Sequence, residues 1–529
     1  MSAPTVTDAR IRVRRGGSAW QVRVPRLAVV RELVIASMGG DPIEAIELEV
    51  ASWRPPIAGW LGRPGLGGLV ESSVTADGTG ARVALRAAAP ADPGVLLAAA
   101  LRCLQPVATG ASAPQLTFVP GLGANATALA PAVRDVVLAG EERDKHVRRA
   151  DDLLIGEGTV DPGVARGRAF VLGADSWTCE GIACEVLLDP AVHRPIGRRT
   201  TEGTQVVPGR VDGGALVITR SGVSVRLEGD ITSAQARAVR DVGAVECPDA
   251  VPRRIAVQLN ACGVLLVNDA SSLPAPDDVI GWQSRSVAER RHALRAHSPA
   301  AALGTWPSVS VVMATHRPDH LEHAFAQLER LAYPRLEAVI GAHGPAVDVA
   351  RMRELAARLP YPARVLAIDS QLSLGAALQA LSLAAEGDVI TKMDDDDHYS
   401  AEHVWDLVLA RMYSGAQVVG KALDWVHLAA LDTTVLRPTY GAERYADFVA
   451  GGTMLISRGD LFSAGGWRPV PKSVDRALLD RVLEMGGLVY RTHGLGYAYV
   501  RRAEGHTASV ADEHFLTKTH AQFPGLVTP

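Results

Sequence analysis

The sequence predicts an α/β protein: a C-terminal domain on a mainly parallel, doubly wound, Rossmann-like sheet, preceded by α+β domains. Three observations carry this. From residue 308 short β-branched runs alternate with amphipathic stretches, the pattern of βαβ units. Before residue 308 strand-like and helix-like pieces mix without that rhythm. At 529 residues the chain exceeds what one hydrophobic core holds.

In order, the C-terminal pattern reads strand "SVSVVMA" (308–314), helix 319–331, strand "LEAVIGA" (336–342), helix 347–359, strand "ARVLAI" (363–368), helix 374–386 and strand "DVITKM" (388–393). In such sheets ligands bind at the carboxyl ends of the strands. The preceding seam, 273–307, combines the connector "SSLPAPDD", a charged helix "SRSVAERRHALRAH" and the loop "SPAAALGTWPS". Residues 1–150 read as one α+β domain, with strands "AWQVRVPRLAVV", "EAIELEVAS" and "ARVALRAA", a helix near 94–104 and another through 130–154. Residues 151–272 read as a second α+β unit, and the fourth division is 308–529. The roles of the first two units are not legible in their residues.

Composition excludes several classes. With 47% hydrophobic and 21% charged residues the chain is neither disordered nor fibrous. The 54 basic residues nearly balance 58 acidic ones, which argues against a nucleic-acid partner. Five scattered cysteines form no paired zinc or disulfide pattern and fit a cytoplasmic setting. No apolar run reaches the roughly 18 to 20 residues of a membrane span, so contact with a membrane would be peripheral. The rarity of lysine beside abundant alanine matches a bacterial, GC-rich source.

Four consecutive aspartates, Asp394 to Asp397, follow the fourth strand directly. The plain reading is a solvated acidic loop charging the next helix, with Ser400 as its N-cap. The strand-end position favours chemistry instead: Asp394 and Asp396 alternate, and hard oxygen ligands suit Mg2+ or Mn2+. An EF-hand does not fit, because Tyr399 falls where glycine is needed and Trp405 where the bidentate glutamate belongs.

The blocks "SVSVVMATHRPDHLEHAFAQLERLAYPRLEAVIGAHG", "LSLGAALQALSLAAEGDVITKMDDDDHYSAEHV" and "GGTMLISRGDLFSAGGW" resemble, in that order, those of a family 2 glycosyltransferase of GT-A fold. The resemblance implies an inverting, metal-dependent transfer of a sugar from a nucleoside-diphosphate sugar to an acceptor hydroxyl. It implies that Thr315, Arg317, Gly375, Asp394 and Asp395 meet the nucleotide-sugar donor. It places Mn2+ or Mg2+ on the DxD pair Asp394 and Asp396, with late His506 as a further donor. It makes Asp475, after Ser473 in "KSVDRALLD", the base that takes the acceptor proton, with Asp480 as the fallback. The chain departs from the family where Gly341, Ala342 and His343 replace the usual second-strand acid. Two other readings stand beside it: a degenerate GT-A module that binds sugar nucleotides without turnover, and a metal-dependent nucleotidyltransferase, whose glycine-rich phosphate loop "ATHRPDH" lacks.

Overall fold

Val309–Thr315 carries buried residues on both faces, the mark of a strand covered by helices on each side. It pairs in parallel with Leu336–His343 and with Val389–Lys392, and Leu336–His343 pairs in parallel with Ala363–Ile368. Helices Leu321–Arg330, Val349–Ala356 and Leu374–Ala384 make the crossovers. The computed structural model describes residues 11–37, 41–55, 60, 62, 69–105, short pieces between 116 and 197, then 205–298, 300–301, 306–470, 473–502 and 512–528.

Local chemistry sets the helix starts. Asp348 accepts from the Ala350 and Arg351 amides, and Ser373 from the Ala376 amide, each satisfying N–H groups that a helix leaves unpaired. Along the first strand Val311 faces one core with Ile340, while Val312 faces the other with Val339 and Ile390. The double winding is therefore visible in adjacent residues.

Beyond the fourth strand the sheet departs from the parallel expectation. Leu455–Ser457 runs antiparallel between Val389–Lys392 and Val418–Lys421. Val489–Thr492 then lies parallel to Val418–Lys421, and Arg444–Tyr445 closes the eight-stranded sheet antiparallel. Strands of two to four residues carry no directional signal, which is why the sequence pattern missed this half. A second, five-stranded sheet orders His398–Tyr399, Tyr497–Arg501, Trp425–Leu428, Thr433–Leu436 and Ala521–Pro524. Ser400 is not an N-cap: the next helix is His403–Ser414, its N-cap position is Glu402, and Ser400 lies in the preceding turn.

The charged helix spans Val279–His297 and buries Trp282, Val287, Ala293 and Leu294. It is tied to the C-terminal unit by Arg290 on Glu443 (2.8 Å) and Arg291 on Asp406 (2.6 Å). Before it, Val206–Asp212, Ala244–Glu246 and Leu265–Val267 pair in parallel through helices Ser233–Val239 and Arg253–Ala261, with a hairpin on one edge. The first unit is a five-stranded sheet, Arg12–Gly16 to Ala81–Ala91, over which Val30–Ser37 and Pro93–Cys103 pack. Trp53 is buried there and donates to the Leu104 carbonyl at 3.1 Å. Gly486, at φ +79°, leaves the space that this indole fills, so the first unit seats on the turn after helix Val474–Glu484.

The helix expected over 130–154 lies outside the described residues, apart from Leu153 and Leu154, which belong to strand Leu153–Gly156. Among the described residues no helix is long and apolar enough to cross a membrane.

Candidate functional site

The fourth strand ends at Lys392, and residues 393–397 bend instead of continuing it. A two-residue alternation therefore does not govern the four aspartates, and each takes its own direction. Asp394 turns to Lys392 (2.8 Å). Asp395 accepts from Thr315 Oγ1 at 2.5 Å and lies 3.2 Å from Arg317. Asp396 accepts from Arg317 and has Arg502 at 3.6 Å. Asp397 points inward, accepting from the Tyr497 hydroxyl at 2.7 Å and the Val500 amide at 2.9 Å. That last carboxylate fastens the loop to the neighbouring sheet.

Burial, and then the nearby charges of Asp394 and Asp396, push the Asp397 carboxyl well above the usual carboxylate range. Arg317 and Lys392 are pushed up as well, which for a cation favours the charged form. Burial works against each cation, but Asp395 and Asp396 hold Arg317 charged, and Asp394 and Asp475 hold Lys392 charged.

Lys392 has no assignment from sequence, yet it joins two distant segments. Its side chain is 3% exposed, and besides Asp394 it reaches Asp475 Oδ1 at 3.3 Å and the Gly451 carbonyl at 3.3 Å. Asp475 stands in the first turn of helix Val474–Glu484, whose N-cap position, Ser473, makes no side-chain cap and adopts φ +57°. The Asp475 Oδ1 atom is buried and has no hydrogen-bond partner among the described residues. A lysine ending a wholly buried strand was the available signal, because a buried ammonium requires carboxylate partners.

The glycine pair of "VAGGTM" is the floor of this arrangement. A Cβ on Gly451 would clash with the Asp475 carboxylate. One on Gly452 would meet Asp394 Oδ2 and the Tyr399 hydroxyl at 2.8 Å and Asp397 Oδ2 at 3.0 Å. Space, not backbone conformation, demands glycine at both positions.

Other expected residues fall as follows. Thr315 is buried at the end of the first strand, and its Oγ1 also accepts from the Arg317 amide at 3.1 Å. Gly375 is buried in the first turn of its helix, and the room a Cβ would need is taken by the Arg468 carbonyl, so the glycine lets helix and loop touch. Trp467 is core: its indole donates to Ser382 Oγ at 2.9 Å. Asp480 pairs on the surface with Arg476 at 2.7 Å. His506 lies outside the described residues.

His320, Asp395 and Asp396 each offer one ligand atom, and these atoms lie within 4.8 Å of one another. Two carboxylate oxygens and an imidazole form a donor set suited to a divalent first-row ion, and carboxylates alone suit Mg2+ as well. The residues present therefore fit such an ion. Sequence reading passed over His320 because it sits in a turn with no ligand spacing to mark it.

No family model and no curated protein matches the chain. Among solved structures it is similar to TarS 1-349 of S. aureus in complex with UDP-GlcNAc, at 14% identity over 39% of this chain and 63% of that one, TM-score 0.31. It is also similar to the mannosyltransferase PcManGT of Pyrobaculum calidifontis in complex with GDP-Man and Mn2+, at 15% identity over 38% of this chain and 58% of that one, TM-score 0.30. The chain spans about three fifths of the length of these structures. At TM-scores this low the likeness carries no argument about this chain.

Proposed function

We propose that the chain is a glycosyltransferase of the family 2 type, moving a sugar from a nucleoside-diphosphate donor to an acceptor hydroxyl with inversion. The observation that supports this most is the meeting of Asp394 and Asp475 on one buried ammonium, at the carboxyl end of the parallel strands. Residues 81 positions apart converge there. Asp475 takes the acceptor proton, and Lys392 and Gly451 hold that carboxylate in place. Arg317 reaches the donor's diphosphate from the turn after the first strand, where Thr315 fixes its amide. Asp396, with Asp394 and Asp395 beside it and His506 as the resemblance implies, would hold Mn2+ or Mg2+. Bound there, the ion supplies Lewis-acid stabilisation of the departing diphosphate.

Incubating the full chain with UDP- and GDP-sugars tests this, with donor hydrolysis followed in Mn2+ and in chelator. Turnover should require the metal and vanish in Asp396→Ala. Equal turnover in chelator would overturn the metal-assisted mechanism. Donor binding with no turnover toward any sugar acceptor would replace the enzyme by a sugar-nucleotide-binding module.

A further inference from the structure

We propose that His320 is a protein donor to the divalent ion of this site, completing a set with Asp395 and Asp396. The inference rests on the metal-dependent reading above and adds a ligand from the turn Pro318–His320, after the first strand.

Three observations lead to it. First, His320 ends the turn Pro318–His320, which runs straight into helix Leu321–Arg330, and that turn carries the imidazole to the aspartates, its ligand atom within 4.8 Å of theirs.

Second, the chain already places a cation at the focus of these donors. The Arg317 guanidinium contacts Asp396, lies 3.2 Å from Asp395 and stands 3.3 Å from His320 Nδ1. The three lone-pair groups thus converge on one positive charge, and an ion takes that focus when Arg317 turns away, as it does in reaching the diphosphate.

Third, the spacing is nearly right. Three donors sharing one ion with bonds of about 2.1 Å lie about 3.0–3.6 Å apart, so a set within 4.8 Å closes by about an ångström. Small side-chain rotations achieve that. Thr315 Oγ1, bonded to Asp395 at 2.5 Å, orients one of the carboxylates as the hydrogen bonds around a metal site commonly do.

The test uses the full chain and Mn2+ alone. Free-Mn2+ electron paramagnetic resonance gives affinity, and electron spin echo modulation of the bound ion reports nitrogen hyperfine coupling from a histidine ligand. The wild type should show that coupling. His320→Gln should lose it and bind Mn2+ about 10-fold more weakly or worse. His316→Gln, an exposed histidine of the same turn, should change neither reading. Circular dichroism and melting check the fold of each variant. If His320→Gln does not fold, heavy-nitrogen-labelled histidine in the wild type must alter the coupling pattern, and an unaltered pattern overturns the proposal. Loss of Mn2+ in Asp396→Asn, with affinity and coupling retained in His320→Gln, overturns His320 while the metal-dependent reading stands. Coupling lost in His506→Gln and retained in His320→Gln does the same. Equal Mn2+ affinity in wild type and Asp396→Asn sinks that reading and this inference together.

Discussion

Two of the ionic clusters among the described residues are built differently. In the sealed one, Asp406 is held by Lys421 (2.6 Å) and Arg291 (2.6 Å), and Glu443 by Arg290 (2.8 Å) and the hydroxyls of Tyr413 and Tyr490. Every member but Arg291 is essentially without solvent, and the carboxylates have their oxygens taken. Burial opposes the Asp406 charge, but Lys421, His493 and Arg291 outweigh it and hold the carboxyl well below the usual range. In the open cluster Asp394 and Asp475 remain about one third exposed, and Asp475 Oδ1 has the Lys392 ammonium at 3.3 Å but no hydrogen-bond partner among the described residues. The first joins elements: helix Val279–His297, helix His403–Ser414 and the mixed half of the sheet. The second holds acids ready for something else.

The difference can be broken from either side. The largest effect is expected in the open cluster: Asp475→Asn should cut transfer by about 10²- to 10⁴-fold with only a small fall in melting temperature, because Lys392 keeps Asp394 at 2.8 Å. Normal turnover would place the base elsewhere. In the sealed cluster, Asp406→Asn should cost about 3–5 kcal/mol in denaturant unfolding, because Lys421 and Arg291 are left buried without their partner. If both variants lost activity and stability alike, the contrast would be false. Gly451→Ala comes next: a methyl displacing the Asp475 carboxylate should lower turnover about 10²-fold, with donor affinity retained.

The smallest effect concerns Asp424, a buried acid outside both clusters. Burial, against the attraction of Arg491, raises its carboxyl to about 7, and its Oδ1 has no hydrogen-bond partner among the described residues. A folded-state value above the unfolded one means the folded chain binds more protons, so this group erodes stability as pH rises from about 4 to 7. Asp424→Asn should therefore gain on the wild type across that window and hold its advantage above it, by about 1–2 kcal/mol at pH 8. Denaturation midpoints at pH 5 and pH 8 measure it; a gain larger at pH 5 would contradict the assignment.

Legibility followed the range of the forces involved. The βαβ half could be read because β-branched runs and amphipathic helices repeat over many residues, and the strand-end rule then located the aspartates. The directions of Leu455–Ser457 and Arg444–Tyr445 could not, since two or three residues hold no periodicity. At the site, Asp394 to Asp397 were conspicuous as a run, but their division of labour was not. The bend after Lys392 breaks the alternation that would have assigned them.

Residue chemistry and order were enough to specify a layered α/β unit, a glycine-paired block and acids at a strand end. Which acid meets which cation was settled only by folding. Lys392 meets Asp475 across 83 residues, and Arg317 meets Asp395 and Asp396, because strand order brings those chain segments side by side. Charge acts over ångströms of space, and distance along the chain says little about that.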